Sequence, residues 1–391
     1  MTSHNERNSR IDYGLVLILL MLFLVSCLAI YSAQTTGQYG ENFVLKQVVW
    51  YIVGIVIIAV VIRFDSDQLM GVSWYVYGLG VLLLSFLIIA PSSIAPVING
   101  AKSWYKVPGM GSLQPSEFVK VFLILALSRV LVMHHQKNPV KTMQTDFMLL
   151  LKLGGVTALP LLLVMQQPDL GTSLVLISIL LGMIFVSGIT WRLLLPLFGS
   201  AAALAGVIFY LVLWAPQVLE KYLGVKQYQF GRIYSWLDPY TYESSTGFHL
   251  TRSLLAIGSG QTAGKGFGYR EVYLPESHTD FIFSVIGEEY GFIGASIVVS
   301  LFFLLIYHIT KLALETHTPY YTYMCAGVIA MVTFHAFQNI GMTIGLLPIT
   351  GIPLPFISYG GSSLMGNMLA MGLIFSIHYN EKHYMFSTNN N

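Results

Sequence analysis

Charge is what this sequence has least of. Asp, Glu, Lys and Arg make up 10% of its 391 residues, where a soluble domain carries roughly 25%. So little charge excludes several water-soluble domains. The 55% hydrophobic content and mean hydropathy of +0.68 indicate an integral membrane protein. The formal net charge is only +2, and no basic run exceeds two residues, which removes nucleic acid as a partner. Cysteine is nearly missing as well. Cys27 and Cys325 fall in apolar stretches and the longest loop has none, so no disulfide framework is expected. The apolar run beginning near Tyr13 follows Arg7 and Arg10 and lacks a small-residue cleavage site. It reads as an anchor span, not a removed signal peptide.

What the chain does have is long apolar runs. They predict about ten spans, at about 13–32, 47–63, 72–90, 117–133, 147–165, 170–187, 191–213, 281–307, 321–346 and 358–378. Arg7, Arg10, Arg63, Arg129, Lys137, Lys141, Arg192, Lys311 and Lys382 collect on one side of this arrangement. Only Lys46, Lys102 and Lys106 fall in short loops on the other. The first side is therefore expected to be cytoplasmic, with both termini inside. The expected fold is a single all-α polytopic membrane domain, 1–391. A large external loop, about 214–280, joins the seventh and eighth spans.

The stretch Val272 to Ser284 puts a charged, hydroxyl-rich cluster at the entrance to the eighth span. Pro275 cannot continue a helix from upstream. Asp280 then stands where a water-facing loop becomes a span. It suits an N-cap for a helix starting at Phe281, and it also suits chemistry at the membrane face. Glu288 and Glu289 follow two turns in, about 12 Å by helical rise. Ionisable groups at that depth are costly and usually functional.

Four further segments face the same side. Lys102-Ser103-Trp104-Tyr105-Lys106 is followed by Gln114-Pro115-Ser116-Glu117-Phe118-Val119-Lys120, where Glu117 and Lys120 are neighbours on one helix. They could form a self-neutralising pair or act in a site. Gln166 to Thr172 holds Asp169, another N-cap candidate. The outer loop contains Gly258 to Gly268, which resembles a phosphate loop but has Ser259 and Gly266 where that motif needs glycine and Ser or Thr. Its glycines are expected to let the backbone turn beside a neighbour, and Lys265 and Arg270 to bring positive charge near Asp280. The run Gly345 to Ser363 holds Pro348, Pro353 and Pro355, which forbid a continuous helix. Such backbone is tolerated only where protein buries it or a polar cavity solvates it. The glycines and serines opening the last span favour an anion at its free N–H groups.

In this order, these stretches resemble the SEDS family of bacterial wall polymerases, from about Tyr13 to His378, with the Glu276-Ser277-His278-Thr279-Asp280 form closest to its rod-elongation branch. The resemblance implies a multi-pass peptidoglycan glycosyltransferase of the bacterial cytoplasmic membrane that polymerises lipid II. The growing glycan would be the donor, undecaprenyl pyrophosphate the leaving group, and the anomeric carbon would invert. It implies a class B penicillin-binding protein as partner, since the chain shows no serine-nucleophile motif for cross-linking. A lipid II flippase and a noncatalytic scaffold are the rival readings. Asp280 is the candidate base, with Glu117 and Lys120 as further catalytic candidates. Phe281 and Phe283 would raise the pKa of Asp280, and Lys265 or Arg270 would lower it. The candidates for holding substrate are Lys102, Trp104, Gln114, Ser116, Asp169, Lys265, Arg270, Glu276, Ser277, Thr279, Ser358, Gly360, Gly361, Ser362 and Ser363. Glu288, Glu289, Pro353 and Pro355 are expected to be structural or coupling. A divalent cation, Mg or Mn, would suit pyrophosphate departure, though no metal-ligand spacing is present.

Overall fold

The computed structural model describes residues 11–35, 41–98, 100–107, 111–223 and 227–387. Arg7 and Arg10, on which part of the expected orientation rests, lie outside them. Thirteen helices occur among the described residues. They are α1 (Tyr13–Thr35), α2 (Phe43–Val61), α3 (Ser66–Ile89), α4 (Pro115–Lys137), α5 (Met143–Met165), α6 (Leu170–Val186), α7 (Trp191–Trp214), α8 (Pro216–Leu223), α9 (Gln227–Leu237), α10 (Phe248–Ser259), α11 (Ile282–Glu315), α12 (Pro319–Thr343) and α13 (Gly361–Ser387). A short antiparallel hairpin of β1 (Tyr105–Val107) and β2 (Gly111–Leu113) precedes α4.

Each expected span falls on a helix, α1 to α7 and α11 to α13, with the eighth crossing a break in α11. Seven of these, α1, α2, α3, α5, α7, α11 and α12, are long and apolar enough to cross a membrane. The chain is a helical polytopic membrane protein. α4, α6 and α13 fall outside that set, two of them for plain local reasons. α6 has only 17 residues, and α4 carries Glu117, Lys120, Arg129 and Lys137. α4 tolerates its charges because it lies inside the bundle, packed on α3, α5, α6, α12 and α13. Outer helices instead present apolar side chains such as Leu17, Leu82, Leu162 and Phe303 outward. A lipid environment accounts for that inversion of the usual polar surface.

α11 is broken at Gly291, whose φ of 61° and ψ of −155° leave the helical region. The break would orphan the carbonyls of Glu288 and Glu289 and the N–H groups of Phe292 and Ile293. The glycine-rich loop fills all four positions. Lys265 N–H donates to Glu288 O (3.1 Å) and Gly266 N–H to Glu289 O (2.9 Å). Phe292 N–H donates to Gln261 O (2.9 Å) and Ile293 N–H to Thr262 O (3.2 Å). So close an approach needs glycine at 264, where φ is +81° and a Cβ would sit 2.1 Å from Glu289 O. Gly264→Ala is therefore expected to destabilise the protein by at least about 2 kcal/mol through strain and displacement. Thermal melting in detergent measures this. Gly258→Ala, with nothing within 4 Å of its Cβ, should leave the melting temperature near that of the parent.

Candidate functional site

The proline-rich run shapes the site because its backbone cannot satisfy itself. Side chains from other helices take its carbonyls. Tyr51 Oη donates to Phe356 O (2.5 Å), Ser26 Oγ to Ile357 O (2.8 Å) and Asn339 Nδ2 to Ile352 O (2.8 Å). The same Asn339 amide donates to the carbonyl of Asp280 (2.8 Å). Ser358 Oγ accepts from Leu354 N–H (2.8 Å) and donates to Thr279 O (2.6 Å). Tyr359 N–H donates to His278 O (2.9 Å). The run and the loop before α11 are thus fastened into one wall, as the need to solvate irregular backbone requires. Gly351, at φ +72°, lets the chain pass beside Asp280, and a Cβ there would lie 3.3 Å from Oδ2.

That wall closes one side of a cavity of about 840 Å³. Glu276, Thr279 and Asp280 line it from the loop, and Thr350 to Pro353 and Tyr359 to Ser363 from the wall. Trp104 and Gln114 line it from the hairpin region, Glu117 and Lys120 from α4, and Asp169 from the start of α6.

Asp280 does not cap α11. The helix begins at Ile282 with Phe281 as N-cap, and no side chain caps it. The free carboxyl is pushed up to about 7, first by burial and then by the negative charge of Glu276, with Arg232 of α9 pulling the other way. The cation acting on Asp280 is thus Arg232, where Lys265 or Arg270 was expected. Lys265 instead joins Glu271 (2.9 Å) and Glu288 (2.8 Å), and neither Lys265 nor Arg270 lines the cavity.

On α4, Lys120 Nζ meets Glu117 Oε2 at 2.8 Å with both residues buried, at 2% and 5% exposure. A third group, His335 of α12, places Nε2 2.9 Å from the same ammonium. Asp169 both caps and lines. It accepts from Thr172 N–H (2.9 Å), Thr172 Oγ1 (2.8 Å) and Gln114 Nε2 (2.9 Å). Gln114 N–H in turn donates to Ser362 Oγ (3.0 Å), tying the start of α4 to the start of α13. Gly361 packs where a Cβ would sit 2.6 Å from the Trp50 ring.

Several expected substrate residues stand elsewhere. Lys102 Nζ donates to the carbonyls of Ile88 (3.0 Å) and Ala90, closing the C-terminus of α3. Ser116 and Ser277 are buried outside the cavity lining. Ser358 is occupied in the wall, and Pro355 lies behind it. Glu288 clamps the outer loop, accepting from Lys265 Nζ and from the N–H groups of Glu271 (2.8 Å) and Val272 (3.2 Å). Glu289 accepts from Ser32 Oγ of α1.

Lining residues outside the expected set include Arg232, His335, Lys46, Trp50 and Tyr359. His335 did carry a signal, a lone imidazole in an apolar span. Arg232 sits in the loop segment 215–246, which shows no readable pattern. Among the described residues no three of His, Cys, Asp and Glu come together as a metal-ligand set.

Known proteins match this chain over most of its length. A model of the cell cycle protein family of FtsW, RodA and SpoVE matches residues 9–383. The peptidoglycan glycosyltransferase RodA of Treponema pallidum (strain Nichols) is 33% identical over 436 residues, covering 94% of this chain and 98% of its own. The peptidoglycan glycosyltransferase MrdB of Escherichia coli (strain K12) is 34% identical over 376 residues, covering 95% and 94%. A chain from a solved peptidoglycan synthase complex, described as coordinating polymerization and crosslinking, superposes with a TM-score of 0.76 at 27% identity, covering 95% of this chain and 98% of that one. By the match to that family over nearly all its residues, the chain belongs to the SEDS family of FtsW, RodA and SpoVE.

Proposed function

We propose that this chain is a peptidoglycan glycosyltransferase that polymerises lipid II at the outer face of a bacterial cytoplasmic membrane. The observation that carries this reading is one cavity lined both by a carboxyl poised near neutrality, Asp280, and by a buried ammonium, Lys120. In the proposed topology α1 to α7 and α11 to α13 cross the membrane, both termini are cytoplasmic, and the loop of about 214–280 is outside. Leu45, Val49 and Val53 of α2 add an apolar flank to the cavity, which suits the isoprenoid tail beside a saccharide.

In the reaction, the 4-hydroxyl of the incoming lipid II attacks the anomeric carbon of the growing glycan. Asp280 takes the hydroxyl proton as the new bond forms. The bond to undecaprenyl pyrophosphate breaks from the opposite face, so the configuration inverts. Lys120, Arg232 and the N–H groups at the start of α13 stabilise the charge that develops on the departing pyrophosphate. Cross-linking falls to a partner, a class B penicillin-binding protein, which the described synthase complex supports as an arrangement for this family.

Purified chain with labelled lipid II in detergent tests the reading. Glycan polymer is the expected product. Translocation of lipid II in vesicles without polymer would make it a flippase, and partner binding with neither activity would make it a scaffold.

The carboxyl near 7 sets the pH dependence. Only the deprotonated form accepts a proton, so the rate is expected to rise about tenfold per pH unit below 7 and level off above it. A profile of kcat/KM between pH 5 and 9 checks this, and a flat profile would remove Asp280 as the base.

A further inference from the structure

Lys120 is held by two groups, and only one of them is a carboxylate. His335 is 1% exposed, in the interior of α12. Its Nδ1 lies 2.7 Å from the carbonyl of Met331, one turn earlier in the same helix. A carbonyl can only accept, so Nδ1 carries the ring hydrogen and donates it. Nε2 is left as a bare lone pair, 2.9 Å from Lys120 Nζ, and the ammonium donates to it. Glu117 Oε2 takes a second ammonium N–H at 2.8 Å. An ammonium has three N–H groups, and Lys120 and His335 both line the cavity.

We propose that His335 is a positioning residue for this reaction, whose backbone-anchored ring fixes the Lys120 ammonium so that its third N–H points at the departing pyrophosphate. The inference rests on the glycosyltransferase reading above and adds a residue to it. A lysine side chain has four rotatable bonds and many rotamers. Glu117 alone, one turn away on the same helix, fixes distance but leaves rotation about that contact. A second acceptor on a different helix removes the rotation. The arrangement also requires the ring to stay neutral, because a protonated imidazole would turn an N–H toward the ammonium.

The test uses the full chain in detergent with labelled lipid II. His335→Leu removes the acceptor and keeps an apolar filler, and His335→Gln supplies an amide oxygen as acceptor. His335→Leu is expected to lower kcat at least about tenfold with less than a twofold change in KM. His335→Gln should recover most of that loss. Inhibition by inorganic pyrophosphate should weaken in His335→Leu and return in His335→Gln. In a Lys120→Met background, His335→Leu should cause no further loss. Wild-type activity in His335→Leu would overturn the inference, and so would equal loss in both variants with lowered melting temperatures, which marks packing alone. Asp280→Asn run in parallel separates the two claims. If it is inactive while His335→Leu is not, this inference fails alone. If the unmutated chain makes no polymer, the glycosyltransferase reading fails.

Discussion

Asp280→Asn is expected to lower lipid II polymerisation by about 100-fold or more, the usual worth of a positioned general base. The substitution keeps size and shape but removes the ability to take the hydroxyl proton. A capping role cannot confuse the result, because α11 begins at Ile282 and Phe281 holds the N-cap position. Stability should move the other way. The folded carboxyl, at about 7, lies above its ordinary range near 3.8. The fold therefore favours the neutral form, and whatever this group adds to stability is present below the ordinary value and lost as pH rises through 7. At pH 8 the wild type holds a half-buried charge near Glu276, and the amide does not. The Asn variant should melt at the same temperature as wild type or higher at pH 8, while at pH 4 the two should converge. Inactivity joined to undiminished stability assigns chemistry to this carboxyl. Near-wild-type polymerisation by the variant would end that assignment.

Much of this was legible because membrane packing writes itself into simple runs. Each expected span fell on a helix, the eighth on the broken α11, and Glu276, Thr279 and Asp280 lie with Glu117, Lys120, Asp169 and Gly360 to Ser363 around one cavity. What failed was charge placement. Lys265 and Arg270 are close to Asp280 in sequence, but the helix break at Gly291 draws the loop 261–266 onto α11, and Lys265 goes with it to Glu288. Sequence distance cannot show that detour, because it depends on backbone groups orphaned by a single glycine. Lys102 stands outside the cavity lining for a related reason. Its ammonium serves the open carbonyls of α3, a partner defined only by where that helix ends. Arg232 arrives from α9, whose pattern is too short and mixed to announce a site. The irregular wall, by contrast, could be anticipated, since three prolines in an apolar run require polar partners wherever they fold.

Lys120→Met is expected to lower polymerisation by about 100-fold or more, in the range seen when a group stabilising developing negative charge is removed. Taken alone, the variant is ambiguous. It leaves the Glu117 carboxylate without its 2.8 Å partner and the His335 lone pair without a donor. Breaking a buried ion pair from one side costs about 3–5 kcal/mol, so the single variant should also melt well below wild type. Replacing both members removes the uncompensated charge. The double variant Glu117→Gln/Lys120→Met should regain most of the lost stability, because a buried pair replaced by neutral groups of similar volume is often nearly neutral. Its activity should not return, since neither side chain then offers a cation to pyrophosphate. Melting temperature and polymerisation rate, measured on both variants in the same detergent, separate the two effects. If stability and activity recover together, the pair only braces α4. If stability recovers and polymerisation stays at least about 100-fold down, the Lys120 ammonium belongs to the chemistry.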